Sequence, residues 1–305
     1  MIRSLSFAGL LLGAFATTAG AQQSFKSADE AAAALATAAR AADRAAILTV
    51  LGDAAADIVS SGDKVADKSI REHFVQAYDE KHQIEKHGSD QALLVIGNDD
   101  FPFPIPIVRR SDTWQFDTVA GRQEILYRRV GENELDAIQV CLAYVDAQDE
   151  YAEKDHGSGL GVYAQRVVSH PGQKDGLYWP AAAGEEPSPL GELAAEATEE
   201  GYRVGRGPQP FHGYYYRILT RQGPNAPGGA LDYVVKGRMI GGFALIAYPA
   251  DHGNSGVMTF MVSHAGTIFQ KDLGPHSGEL AEQVTVFDPD SSWARVEGNA
   301  LLVNR

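Results

Sequence analysis

Residues 211–274 constrain the fold more than any other part of the chain. Residues 214–220 alternate with the period of two that is typical of a β-strand. The continuous apolar run at 243–248 predicts a strand that is buried on both faces. Two further β-prone runs, 257–262 and 267–270, enclose a Ser-His-Ala-Gly sequence that predicts a hairpin turn. We therefore expect a four-stranded antiparallel sheet near the carboxyl end.

Residues 1–21 have the pattern of a secretory signal peptide. The cation Arg3 precedes an apolar run at 7–15, and a small-residue cleavage site ends at Ala21. Cleavage there would leave Gln22 first, and a lipid-anchored lipoprotein would need a cysteine at that position. The apolar run is too short for a membrane span, and no later run is long enough. The sequence therefore predicts a periplasmic or secreted bacterial protein without a membrane span.

The charge balance argues against two classes of partner. The chain carries 26 Lys and Arg against 40 Asp and Glu, for a formal net charge of −14. Such an acidic protein is repelled by nucleic acids and by anionic membrane surfaces. We therefore expect neither as a partner.

Cys141 is the chain's one cysteine, so no internal disulfide can form. A secreted protein of this kind must take its stability from its core. The thiol falls within an apolar helical run at 135–145, where a cysteine packs as a small hydrophobic residue. A nucleophilic thiol would need an accessible, electropositive setting. We therefore expect Cys141 to be buried and unreactive.

The first part of the chain predicts helices followed by a short antiparallel meander. Ser27 and Glu30 have the spacing of a capping box before an alanine-rich helix that runs to about Arg40. Further helices are predicted near 43–52 and 66–86, and strands near 92–96, 106–109 and 113–117. This order of elements is similar to that of cystatin-type and nuclear-transport-factor-type α+β domains.

A domain boundary is predicted near Gly131. A helix at 122–130 is expected to end at this glycine, and Asn133 can cap the next one. The next helix is expected to pack on the four-stranded sheet, as in the soluble heads of type IV pilins. The sequence therefore predicts an α+β protein with an N-terminal domain at 22–130 and a C-terminal domain at 131–305.

Short motifs through both predicted domains point to a known family. They lie at 79–82, 101–106, 114–117, 128–134, 175–179, 212–215, 237–243, 254–260 and 271–274. Together they resemble an uncharacterised family of bacterial exported proteins, domain of unknown function 2950. The resemblance implies export and a shared two-part layout. It implies no catalytic residue, cofactor or substrate.

One short segment contains the residue types of a hydrolase. Asp251, His252 and Ser255 place an acid, an imidazole and a hydroxyl close together in sequence. A catalytic triad needs these groups to converge in space, and the glycines and asparagine between them favour a simple tight turn. The alternative hypothesis is therefore a periplasmic hydrolase that uses His252 or His212 with Asp251, Ser255 or Asp272.

Neither a metal nor a cofactor is predicted. The sequence has no His-Glu-x-x-His motif, no paired cysteines and no phosphate-binding loop. His212, His252, His264 and His276 each lie at a predicted strand end or loop, so they could meet at one edge of the sheet. Scattered surface histidines are the simpler interpretation.

The leading hypothesis is a non-catalytic interaction module of the bacterial envelope. Aromatic side chains with polar tips favour recognition surfaces, and several lie near predicted loops. The candidate binding residues are Trp179, His212, Tyr214, Tyr216 and Arg238. The expected partner is an envelope protein or polymer, and whether the protein is an enzyme stays open.

Overall fold

The computed structural model describes residues 22–182, 184–205 and 209–297. The predicted signal peptide, residues 1–21, lies outside the described residues. Within them the chain is an α+β protein whose sheets are all antiparallel, which confirms the predicted fold class. No helix of this described part is long and apolar enough to cross a membrane.

The first half consists of helices followed by a five-stranded sheet. Ser27 starts the first helix as predicted, because its Oγ accepts a hydrogen bond from the Glu30 N–H at 3.1 Å. The strands pair in the order β1-β2-β4-β5, and β3 pairs with β2. The elements are α1 (Ala28–Arg40), α2 (Arg44–Leu51), α3 (Ala56–Val59), α4 (Lys64–Glu80), β1 (His82–His87), β2 (Gln91–Ile96), β3 (Phe101–Pro102), β4 (Ile107–Arg110) and β5 (Thr113–Phe116).

The predicted helix at 66–86 is too long at its carboxyl end. Helix α4 ends at Glu80, and the following residues form β1 instead. Strand β1 pairs with β2 from His82↔Ile96 to His87↔Gln91, so every residue of β1 gains a partner strand. Gly88 (φ +75°) makes the turn between them. Non-local pairing therefore outweighs the local preference for a helix.

The predicted helix end at Gly131 is wrong. A single helix, α5 (Thr118–Ala152), continues for 35 residues, a length of about 50 Å. A glycine inside a helix costs only about 1 kcal/mol relative to alanine. Arg129 and Asn133, on either side of Gly131, both donate hydrogen bonds to residues outside the helix. Tertiary contacts on both sides of the glycine therefore keep the helix intact.

The second half contains the expected antiparallel sheet with one addition. Four strands pair in the order β13-β12-β11-β6, and the short β14 adds a fifth at the edge. Helix α5 packs against β11 and β12, and α7 against β11. The elements are α6 (Gly191–Glu200), β6 (Tyr214–Leu219), β7 (Arg221–Gln222), β8 (Leu231–Asp232), β9 (Val234–Val235), β10 (Arg238–Met239), β11 (Ala244–Pro249), β12 (Met258–Ser263), β13 (Ile268–Asp272), α7 (Ser277–Gln283) and β14 (Ala294–Arg295).

The described residues form two hydrophobic cores. The first includes Leu35, Leu94 and Phe116, and the second includes Phe243 and Phe260. Helix α5 contributes to both, because Ile125 packs on the first core and residues from Ala137 to Tyr151 enter the second. The predicted boundary at Gly131 falls on α5 between these two sets. The division into two domains stays a prediction.

Candidate functional site

A cleft of about 930 Å³ lies between α4, residues 125–136 of α5 and the segment that joins β2 to β4. Its volume is at the upper end of the range that is usual for ligand sites. Its floor is apolar because side chains at the edge of the first hydrophobic core form it. Residues that line the floor include Leu35, Ile47, Leu51, Phe74, Phe103 and Ile125.

Helix α4 forms one wall of this cleft. Its apolar stripe includes Val65, Ile70, Phe74 and Ala77, which all line the cleft. A surface helix usually buries its apolar stripe in the core. Here Tyr78 is the one buried residue of α4, and Ile70 is 52 % exposed. The apolar face of α4 is therefore shared: Phe74 and Tyr78 pack on the first core, and Ile70 is open to the cleft.

The opposite lip is the proline-rich loop that follows β2. Phe103 of this loop lies 5.3 Å from Phe74 between ring centroids, and it closes the floor of the cleft. Phe101 is 44 % exposed and carries the Arg128 guanidinium 5.3 Å above its ring. The loop is held close to α5 at Gly121, where an added Cβ would lie 2.6 Å from the Ile105 Cα. Only glycine permits this approach.

His212 lies at the end of the cleft near the start of α4. Its Nδ1 lies 2.6 Å from Asp136 Oδ2 of α5, and its Nε2 lies 3.0 Å from Glu200 Oε2 of α6. Burial lowers the pKa of His212, but hydrogen bonds and charge from Asp136 and then Glu200 outweigh it, so the net pKa is raised. Both ring nitrogens are engaged, so His212 has no free nitrogen to act as a base.

A buried carboxylate joins this end of the cleft to the start of α4. Asp63 is 1 % exposed, and its Oδ1 caps α4 by accepting from the Val65 N–H at 3.0 Å. Its Oδ2 accepts from the Tyr202 hydroxyl at 2.8 Å and from the Gly213 N–H at 3.2 Å. Burial, and then the Asp63 charge, raise the pKa of Tyr202 well above its usual range. The network connects α4 to the chain that leads into β6.

Arg129 makes a second connection between the two halves. It is 7 % exposed, and its guanidinium donates to the Asp57 carbonyl at 3.0 Å, the Ile58 carbonyl at 2.5 Å and Asn254 Oδ1 at 2.6 Å. Asn254 in turn donates to the Ser60 carbonyl at 3.1 Å. Burial lowers the pKa of Arg129, and nearby carboxylates oppose that change. The loop around Asn254 is therefore docked onto the end of α3.

The hydrolase candidates do not converge. Ser255 is fully buried, and its Oγ bonds only to the main chain of Asp251, at 2.9 Å from the N–H and 3.2 Å from the carbonyl. The Asp251 carboxylate accepts from Asn254, at 2.9 Å. His252 pairs instead with Asp272, at 2.8 Å. This His–Asp pair forms without a hydroxyl or thiol bonded to it in the described residues, so it lacks the nucleophile of a triad.

The candidate binding residues are mostly not at an accessible surface. Trp179 is 5 % exposed and Tyr214 is fully buried, and both belong to the second core. Tyr216 packs against that core, and Arg238 lies beside Gly159, away from the cleft. These aromatic side chains pack in the core, because side-chain alternation in β6 turns Tyr214 and Tyr216 towards the same packed side of the sheet. Only His212 lines the cleft.

The described histidines and the cysteine form no metal site. No group of three or more His, Cys, Asp or Glu in the described ranges is placed to hold an ion. His212 and His252 have different carboxylate partners, and His264 packs against Tyr233. Cys141 is fully buried, as predicted, and burial raises the pKa of its thiol to about 12.

The α4 stripe is the functional feature that sequence reasoning missed. Ile70, Phe74 and Tyr78 are spaced along one helical face, and such an apolar face usually packs into a core. Tyr78 is the one buried residue of the three. The available signal was the exposed Phe-Pro-Phe-Pro loop, because prolines keep it out of a sheet interior and leave its aromatic rings free to form a lip.

The chain belongs to the DUF2950 family of proteins of unknown function, whose family model matches residues 22–296. This match confirms the resemblance drawn from the sequence motifs. No curated protein and no solved structure matches the chain. The likenesses to cystatin-type, nuclear-transport-factor-type and pilin-head folds therefore stay predictions.

Proposed function

We propose that this member of the DUF2950 family is an exported, non-catalytic binding module that takes the apolar part of an envelope partner into the cleft beside α4. The observation that carries the proposal is the preformed apolar cleft, in which Ile70 of α4 stays exposed while Phe74 packs at the edge of the first core. Contiguous exposed apolar surface is uncommon on monomeric proteins, and where it occurs it often marks an interaction site.

Two apolar side chains of the cleft remain exposed to water. Ile70 and Phe101 both line the cleft and are 52 % and 44 % exposed. Full burial of an isoleucine or phenylalanine side chain contributes about 1.5–3 kcal/mol. A ligand that covers both of them therefore gains about half of that from each. Phe74 and Val65 are already half-buried, so they shape the floor at little ordering cost.

The polar groups of the cleft support binding over catalysis. His212 uses both ring nitrogens to hold Asp136 and Glu200, and Asp63 accepts hydrogen bonds that fix the start of α4. These groups make the scaffold rigid, and a rigid preformed site loses little entropy when it binds. His212, the predicted base that lines the cleft, therefore has no free nitrogen to take a proton from a substrate.

The decisive experiment is binding of the neutral apolar dye N-phenyl-1-naphthylamine to the mature protein. We expect saturable binding at one site per chain, with an increase in fluorescence. Ile70→Asp places a charge on the cleft wall and should weaken binding at least about tenfold, which corresponds to about 1.4 kcal/mol.

Leu160→Asp is the matched control. Leu160 is 71 % exposed and does not line the cleft, so the same change of chemistry there should leave binding unchanged. Absence of saturable dye binding, or equal weakening by both variants, would rule out the proposal. Circular dichroism of both variants checks that each one is folded.

Export is tested separately. We expect the protein that is recovered from the periplasm or medium to begin at Gln22, as read by intact-mass measurement. A mass that includes residues 1–21 would contradict the predicted cleavage.

A further inference from the structure

The two ends of the cleft are acidic. Glu80 and Asp99 line the end at the carboxyl terminus of α4, and Glu132 lies at the other end, beside the Asp136–His212–Glu200 cluster. Glu80 accepts hydrogen bonds from neutral amides only. The carboxylates of Asp99 and Glu132 make no hydrogen bond or ion pair within the described residues. Carboxylates at both ends are therefore available to a ligand.

The cations around the cleft are largely used by the protein itself. Arg129 is buried against main-chain carbonyls and Asn254, and Arg128 is bonded to Glu124 at 2.7 Å. Near the other end, Lys81 pairs with Asp100 at 2.5 Å. Arg71 is the remaining cation of the lining. The ends of the cleft are thus complementary to positive charge, in a protein whose net charge is −14.

The cleft has the length of a short peptide. Its lining follows α4 from Val65 to Ala77, which spans about 18 Å at 1.5 Å per residue. An extended chain of about five or six residues covers that distance. A ligand with a single charged head would meet only one acidic end and would leave the other unused.

We propose that the cleft binds a segment of a partner protein with apolar side chains in its middle and a basic residue at each end. This inference rests on the proposed function and names the partner's chemistry. The apolar side chains lie on the floor formed by Phe74 and Phe103. The terminal cations pair with Asp99 and Glu132, so charge sets the position of the segment along α4.

The test compares three fluorescein-labelled hexapeptides that share an alternating leucine and alanine middle and differ only at their ends. The ends are lysine, glutamine or glutamate, and binding to the mature protein is followed by fluorescence anisotropy at low ionic strength. We expect the lysine peptide to bind at least about tenfold more tightly than the glutamate peptide, with the glutamine peptide between them. The difference should shrink when salt is raised, since exposed charge pairs are screened.

A double variant locates the effect. Asp99→Asn with Glu132→Gln should weaken binding of the lysine peptide about fivefold and leave binding of N-phenyl-1-naphthylamine unchanged. Asp112→Asn with Glu196→Gln removes the same charge outside the cleft and should change neither. Equal affinity for the three peptides, or equal effects of the two double variants, overturns the inference.

Two further outcomes separate the inference from the proposed function. If the dye binds but the peptides do not, or if dodecyltrimethylammonium binds more tightly than the lysine peptide, a peptide occupant is wrong and the apolar cleft still stands. If neither the dye nor any peptide binds, the proposed function itself fails.

Discussion

Arg129 is the residue whose loss should most weaken the connection between the two halves. The substitution Arg129→Met keeps an unbranched apolar stem, shorter than that of arginine, and removes all of the side-chain donors. It leaves the carbonyls of Asp57 and Ile58 and the Oδ1 of Asn254 without the bonds they make at 2.5–3.0 Å. The guanidinium is 7 % exposed, so water cannot easily take its place.

The expected magnitude follows from these acceptors. A buried acceptor without a donor costs about 1–3 kcal/mol, and removal of a buried charge returns part of its desolvation penalty. We therefore expect Arg129→Met to lower the free energy of unfolding by about 3 kcal/mol. For a chain of this size that corresponds to a fall in Tm of roughly 6–12 °C.

Arg128→Met is the matched control, because Arg128 is adjacent on the same helix and its side chain is 49 % exposed. Its pair with Glu124 is a surface ion pair, which contributes about 0–1 kcal/mol. The assay is urea unfolding followed by circular dichroism and by tryptophan fluorescence. If the unfolding transitions followed by the two probes occur at different urea concentrations only in Arg129→Met, the two halves no longer unfold together. Equal destabilisation by the two variants would refute the role given to Arg129.

Three other predictions concern single residues. The pKa of His212 is raised in the folded state, so its contribution to stability is present below the unfolded pKa of about 6.5 and is lost as pH rises through the folded value. In urea titrations, the stability advantage of the unsubstituted protein over His212→Gln should therefore shrink from pH 6 to 9. A difference that stays constant with pH would contradict this. Native Cys141 should not react with a thiol reagent at pH 8, where its raised pKa and burial keep it a protected thiol, and it should react fully in denaturant. Gly121→Ala should destabilise the protein by about 1–3 kcal/mol, because the added methyl group would contact Ile105. Gly131→Ala should stabilise the protein by up to about 1 kcal/mol, because nothing lies within 4 Å of the added group. The reverse order of melting temperatures would contradict the close packing described at Gly121.

The pattern of neighbouring residues in the sequence was sufficient for elements that are marked by a local cap or by a continuous apolar run. The cap of α1 at Ser27 and the apolar run that became β11 are both where the sequence predicts them. Pattern failed where a distant partner decides. Strand β1 exists because β2 pairs with it, and Gly131 stays helical because α5 is held on both sides of it.

The candidate site was harder to predict for the same reason. Periodicity shows that Ile70 and Phe74 share a face of α4, but it does not show whether that face meets a core or a cleft. Likewise, Asp251, His252 and Ser255 have the composition of a triad. Only the structure shows that their loop instead contacts Arg129 and connects the two halves. Tyr214 and Trp179 were expected at a surface, and their burial became visible only with the sheet assembled.

The most direct test of the apolar cleft is NMR of residues 22–305 with ¹³C-labelled isoleucine methyl groups, titrated with N-phenyl-1-naphthylamine. Our account predicts that the methyl signals of Ile47, Ile58, Ile70, Ile105 and Ile125, which line the cleft, shift together with one affinity. The signals of Ile138, Ile246 and Ile268 in the second core should stay in place. Shifts confined to the second core, or shifts spread evenly over both sets, would contradict the assignment of the binding site.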